Sequence, residues 1–264
     1  MHPREFMDNF WTIEDTNRVF VMMAFAHHGV WKNIIEKAIK KAKLQPDRAD
    51  IPLSGPIPDK ILEGIFNARI ILVDLSPQLL KDGKTEDGIT MKYLYNWNVA
   101  YELGIAHAVR QKEEVILISQ TIEKIPFDIQ HWHIHLYDPQ NIDASIEIIA
   151  NLILNADKSI DHSRSLLVQR EAKKLEQYCF STLISLDKHR QYEFNEENLK
   201  TGDGGKTNLD PHFVKMAIYH MLELNIIETN YIANNPGARE YNYKITNKGK
   251  AVIEYLKKLW EITN

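Results

Sequence analysis

The densest run of chemically capable side chains is NWNVAYELGIAH at 96–107. Read as a helix over 96–110, it sets Asn98 and Glu102 four residues apart on one face. A carboxylate one turn into a helix at the rim of a sheet can point into a cleft. There it can attack the anomeric carbon of a nucleoside, or stabilise an oxocarbenium ion, as in glycoside hydrolysis. Asp74 closes an apolar run and so stands at the end of a neighbouring strand, where it can orient the sugar or the carboxylate. A second acid would protonate the departing base. Glu102, Asp74 and Asn98 are therefore the candidate catalytic residues. The plainer alternative for a single helical glutamate is a surface residue on a supporting helix.

The elements that must position these residues follow from the hydrophobic pattern. The run at 18–25 is continuously apolar after Arg18 and predicts a buried strand. Residues 31, 34, 35, 38, 39 and 42 repeat at helical spacing, which predicts a helix over 29–43. A short strand is expected in 44–50, and a proline-punctuated loop at 52–58 opens a helix at 59–68. Strands follow at 69–75, 114–120 and 132–137, with an amphipathic helix at 143–155. Residues 78–95 are polar and read as a long loop suited to act as a lid. Strands and helices alternate without hairpin signals, so the expected fold is α/β, a doubly wound parallel five-stranded sheet. Ligands bind such sheets at the carboxyl ends of the strands, and Phe25, Asp50, Asp74 and the start of the 96–110 helix all belong to that rim. Gly104 and Ala106 are expected to let the helix lie close to the sheet.

Charge divides the chain. Residues 1–157 carry 16 Lys/Arg against 22 Asp/Glu, and residues 158–264 carry 16 against 14, an acidic front and a mildly basic back. That asymmetry suits two domains, 1–157 and 158–264, with different partners. The net charge of −4 excludes a uniformly basic nucleic-acid binder. The single cysteine, Cys179, excludes an intrachain disulfide and a cysteine zinc site. The start MHPREFMDNFW has no apolar stretch of a secretory signal, and no run suits a membrane span, so a cytoplasmic protein without membrane contact is expected.

Three further patterns carry less. HWHIH at 131–135 puts His131, His133 and His135 on one face of a strand, but edge histidines are the simpler reading, and no metal or cofactor is expected. His27-His28 leaves the first strand close to the site and reads as a loop pair. KTGDGGKT at 200–207 departs from the phosphate-loop spacing, which requires glycine where Lys200 stands, and reads as a linker.

FVMMAF at 20–25, ARIILVDLS at 68–76, NWNVAYELGIAHA at 96–108 and IPFDI at 125–129 occur in the order seen in nucleoside 2-deoxyribosyltransferase-like domains. The first half of the chain resembles these, and also the neighbouring bacterial TIR-like domains. The resemblance implies a flavodoxin-like fold, a nucleophilic Glu102 and a role for Asp74. It implies substrate contacts from Met23 and Phe25, from Asp50, and from Asn96 and Tyr101 within the helix motif. In the transferases an aspartate stands where this chain has Asn96, a departure that points to hydrolysis or another sugar rather than base exchange. Both groups break N-glycosidic bonds. They differ in substrate, so a nucleoside, a nucleotide or NAD is expected. Prokaryotic proteins that pair such a domain with a regulatory module resemble antiphage or toxin effectors.

The second half predicts a helix over 164–186, a polar link, a helix over 210–224 with Asp210 as cap, strands at 226–232 and 240–245 around a turn at 234–237, and a last helix over 246–260. This is the layout of a winged helix, and YKITNKG at 243–249 resembles the stretch after the wing in winged-helix regulators. Lys215 and Arg239 are its candidate contacts to DNA or to a regulatory protein. A homo-oligomer is expected. The rival to an enzyme is a nucleotide sensor that binds without cleaving and reports through the winged helix.

Overall fold

A computed structural model describes residues 10–11, 17–48, 59–79, 93–123, 125, 127–188, 193–195, 210–231 and 241–263. The chain divides into two compact units, Met1–Arg4 with Glu14–Asp161, and Glu5–Ile13 with His162–Asn264.

The first unit is built on β1 (Arg18–Met22), β2 (Gln45–Asp47), β3 (Ile70–Asp74), β6 (Val115–Ser119) and β7 (Ile134–Leu136), with a short helix α4 (Phe127–Gln130) ahead of β7. All neighbours pair in parallel, in the order β2-β1-β3-β6-β7. Counted within the sheet this is 2-1-3-4-5, a doubly wound order. Strand parity explains the continuous apolar runs. Val19, Val21, Ile70, Leu72, Ile116 and Ile118 pack on one face, with the helical stretch α1 (His28–Val30, Trp31–Ile35 and Glu36–Lys41) and the first part of α5 (Ile142–Ala172). Phe20, Met22, Ile71, Val73 and Leu117 pack on the other, with α2 (Asp59–Asn67) and α3 (Trp97–Val109). Both faces are covered, so alternation with polar residues has no place in these strands.

Two side chains lock this arrangement. Arg110 is fully buried and donates to the carbonyls of Ile65, Phe66, Ala68 and Arg69, while its Nε lies 3.1 Å from Glu114 Oε2. It ties the end of α3 to the turn between α2 and β3. Arg69, also buried, pairs with Asp157 and Asp161 on α5. At Gly64 an added Cβ would overlap the Phe20 ring, so α2 lies on β1 as closely as a glycine permits.

Several boundaries differ from expectation. β1 stops at Met22, and Phe25–His27 form a turn of 3-10 helix. The 78–95 segment is not all loop, because β4 (Gln78–Leu79) and β5 (Tyr93–Leu94) pair antiparallel; residues 80–92 lie outside the described part. α5 runs 31 residues through the expected gap at 156–163, the expected helix over 164–186 is instead interrupted at 173–176, and the unit boundary falls inside α5 at 161/162 rather than at 157/158.

The second unit holds α6 (Gln177–Lys188), β8 (Glu193–Asn195), α7 (Pro211–Glu223), β9 (Ile227–Tyr231), β10 (Tyr241–Ile245) and α8 (Asn247–Thr263). Its three strands pair antiparallel in the order β8-β10-β9. Asp210 caps α7 by accepting from His212 N at 2.8 Å, and Pro211 occupies the first turn. Phe10 and Trp11 are buried in this unit's core, although they precede the first strand of the other. Buried Glu171 gathers Lys174, Lys248 and Arg170. Among the described residues no helix is long and apolar enough to cross a membrane.

Candidate functional site

α3 starts at the carboxyl rim of the sheet because Asn96 caps it. The Asn96 side-chain oxygen accepts from Asn98 N at 3.0 Å and from Val99 N at 3.4 Å. That fixes the first turn and aims the next one. Asn98 and Glu102 then both line a cleft of about 400 Å³ of open space, together with Met23 and Phe25 after β1, Ile61 of α2 and Asn96 itself. Four of the expected site residues thus meet Glu102 in one place.

Glu102 is 8% exposed, and among the described residues no hydrogen bond reaches its carboxylate. Burial without a compensating donor penalises the charged form and pushes its pKa up to about 7. Such a group is present both as carboxylate and as acid at neutral pH, which is the condition for acid–base or nucleophilic work.

Asp74 does not join it. Strand parity gives Asp74 the direction of Ile70 and Leu72, towards the face under α1 and α5, whereas α3 covers the opposite face. Its Oδ1 accepts from Ser76 N at 3.0 Å and from the Ser76 hydroxyl, and its Oδ2 accepts from Tyr137 Oη at 2.9 Å. Gln120 donates to Tyr137 Oη at 3.1 Å and, through its backbone, to Ser76 Oγ at 2.9 Å. His27 Nδ1 stands 3.7 Å from Asp74 Oδ2. Burial, reinforced by Asp74, pushes the Tyr137 phenol up, so it stays a donor. Asp74 lines a second cleft, of about 330 Å³, with Ser76, Tyr95, Asn96, Trp97 and Ala100. Asp74 was expected to orient the sugar or the Glu102 carboxylate; the two acids line separate clefts that share Asn96 and Val99.

The remaining expected residues scatter. Tyr101 is 62% exposed and lines neither cleft. Asp50 and Arg239 lie outside the described residues, as does the 200–207 segment. Lys215 is exposed on α7 beside Phe213, Met216 and Tyr219, a face more aromatic than basic. Gly104 does not touch the sheet. It sits roughly 200° around the helix from Glu102, and an added Cβ would meet open space. Ala106 is the small residue that is fully buried.

The histidines belong elsewhere. His107 stacks on Trp132 with centroids 3.8 Å apart, and burial lowers its pKa. His131 and His133 precede β7, at the amino rim and not the rim of Glu102. Among the described residues no three metal-binding side chains assemble.

One charged cleft residue escaped the sequence reading. Arg48, immediately after β2, is buried and lines the cleft of Glu102. Its position at the carboxyl end of a strand was the available signal, the same one that marked Asp50. No known protein-family model and no curated protein matches this chain.

Proposed function

We propose that the first unit, read as a flavodoxin-like domain, is an N-glycosidase acting on a nucleoside, a nucleotide or NAD. The feature that carries this reading is Glu102: a buried carboxylate with no hydrogen-bond donor among the described residues, in a cleft at the carboxyl rim, where burial pushes its pKa up to about 7. As a carboxylate it attacks C1′ of the sugar or stabilises the oxocarbenium ion, and the C1′–N electron pair leaves with the base. Water then adds to C1′ and releases a proton to solvent, giving the free sugar and restoring the glutamate. Asn98, one turn before Glu102 and on the same cleft wall, is suited to hold a sugar hydroxyl. The exposed Phe25 ring offers a stacking face for the base.

Asp74 is engaged on both oxygens, so the described lining of this cleft holds one carboxylate and no second acid. A neutral base needs a proton as it leaves. A pyridinium base such as that of NAD departs neutral and needs none, so a single carboxylate suits the NAD class best. The test is chromatographic: purified protein against NAD and a panel of ribo- and deoxyribonucleosides and their monophosphates, with Glu102→Gln as control. Release of a base by the wild type, reduced at least about a hundredfold in the variant, supports the reading. Equal release in both removes Glu102 from the reaction.

A second acid absent from the described lining also suits the sensor, which would bind the same ligand and leave it intact. In either case we read α7–β9–β10–α8 as a winged helix. Phe213, Met216 and Tyr219 on the exposed side of α7 favour a protein partner over DNA, because a DNA-reading helix needs a basic face. A ligand recovered unchanged after binding would establish the sensor.

A further inference from the structure

The cleft of Asp74 has a lining unlike that of Glu102, because its polar groups are already engaged. Asp74 accepts from Ser76 and from Tyr137, Ser76 Oγ accepts from Gln120 N, and Tyr95 Oη donates to the Glu123 carbonyl at 2.6 Å. Asn96 Oδ1 is taken up by the cap of α3. What the described lining leaves for a ligand is apolar and aromatic: Leu75, Val99, Ala100 and Ile129 of α4, beside Trp97. Trp97 is 70% exposed, and among the described residues no second ring, cation or hydrogen-bond acceptor meets its indole. A charged guest would lose its water here without replacement, whereas a flat aromatic ring gains a stacking face.

This cleft adjoins that of Glu102. Asn96 and Val99 line both, and the first turn of α3 is the wall between them, with Asn98 on the Glu102 side and Trp97 on the other. Open space of about 400 and about 330 Å³ puts each near the lower end of small-molecule sites. A single nucleoside fills one cleft and leaves the other to water. A ligand with two flat heads occupies both, and its linker crosses at Asn96, whose side-chain nitrogen has no partner among the described residues.

We propose that the Asp74 cleft seats a second base, stacked on Trp97, so that the ligand is a dinucleotide with its scissile end at Glu102 and its other base held by stacking rather than by hydrogen bonds. This rests on the glycosidase reading for which end lies at Glu102, though binding alone tests the second seat. A stacking seat reads the flatness of a base and not its edge, so it accepts one purine in place of another.

The experiment is titration calorimetry on the full chain carrying Glu102→Gln, so that no ligand is consumed. The probes are NAD, its halves nicotinamide mononucleotide and AMP, and the NAD analogues with hypoxanthine or guanine in place of adenine. NAD should bind at least about tenfold more tightly than either half, and both analogues within about threefold of NAD. Trp97→Ala should weaken NAD by about fivefold or more and leave nicotinamide mononucleotide within about twofold. Trp97→Phe keeps a ring and should fall between. An exposed side chain is not needed for folding, so the melting temperatures of these variants should match that of their parent. No binding of NAD, binding no tighter than that of nicotinamide mononucleotide, equal weakening of both by Trp97→Ala, or a loss beyond about threefold on changing the second base would overturn the assignment. Base release by the wild type is read separately. Trp97-dependent binding without release would remove the glycosidase reading and keep the second seat. Release from nicotinamide mononucleotide as efficient as from NAD would keep the glycosidase and remove the seat.

Discussion

Glu102→Gln should make the protein more stable at alkaline pH and leave it nearly unchanged at acid pH. Glutamine has the shape of the protonated glutamic acid and cannot ionise, so it isolates the cost of the buried charge. Burial raises the carboxyl from its ordinary 4.5 to about 7. At about 1.4 kcal/mol for each pH decade, that is about 3 kcal/mol. The sign follows from which state holds the proton. Below pH 4.5 both states are protonated and the wild type has its full stability. Between 4.5 and about 7 the unfolded chain ionises while the folded one keeps its proton, and stability drains. Above about 7 the loss is complete. Thermal melts of wild type and variant at roughly pH 8.5 should differ by roughly 6–12 °C in favour of the variant, at roughly 2–4 °C per kcal/mol for a unit of this size. At roughly pH 5 the difference should fall below about 1 kcal/mol. The same ionisation should appear in catalysis, with base release rising through about pH 7 to a plateau as the carboxylate forms. A difference in melting temperature that is identical at both pH values would refute the reasoning, because it would show that Glu102 is solvated in the folded chain.

Tyr137→Phe strips the donor from Asp74 Oδ2 and the acceptor from Gln120, and should cost about 1–3 kcal/mol in denaturant unfolding. Gly249→Ala should destabilise the second unit by about 1–3 kcal/mol in the same measurement, since the new methyl would overlap the Ile226 carbonyl, which is backbone and cannot swing aside. Burial opposes ionisation of Glu171, but hydrogen bonds from Lys174, Lys248 and Arg170 outweigh it and hold the carboxyl down at about 2. Its stabilisation is therefore full above pH 4.5 and drains towards about 2, so Glu171→Gln should be destabilising at neutral pH and neutral in effect at the acid end of that window, read as denaturation midpoints.

The sheet was legible because parallel strands covered on both faces must be apolar along their buried length, as IILV at 70–73 of β3 is. The strand ends were less so. Met23 and Ala24 are as apolar as the strand they follow, and only the backbone turn at Phe25–His27 ends it. The polar stretch inside α5 looked like a break between two helices, but residues 142–172 contain neither glycine nor proline, and without a breaker the helix continues. Of the cleft lining, Glu102 and Asn98 were brought together by helical spacing and Phe25 by its place at the rim, while Met23 came from the resemblance alone. The rim position of Asp74 was legible, but not the direction of its side chain. Counting by twos from Ile70 sends it to the α1 face. Arg48 was passed over because an isolated arginine after a short strand carries no motif; its burial is set by Phe25 and Trp31, which are remote in sequence.

The way α3 is held has a consequence for how the cleft wall fluctuates. One end is fixed by the Asn96 cap, and the other by the Arg110 hydrogen bonds to carbonyls at 65, 66, 68 and 69. A helix pinned only at its start would fray from the far end, one amide at a time. Here the last turn of α3 cannot lift without withdrawing a buried guanidinium from the turn that ends α2, so the two helices open as one cooperative unit. Their amides should therefore exchange with solvent in concert, at the free energy of a sub-global opening rather than of terminal fraying. Between such openings Glu102 keeps a fixed depth, and its affinity for a proton is a property of the fold rather than of a mobile side chain.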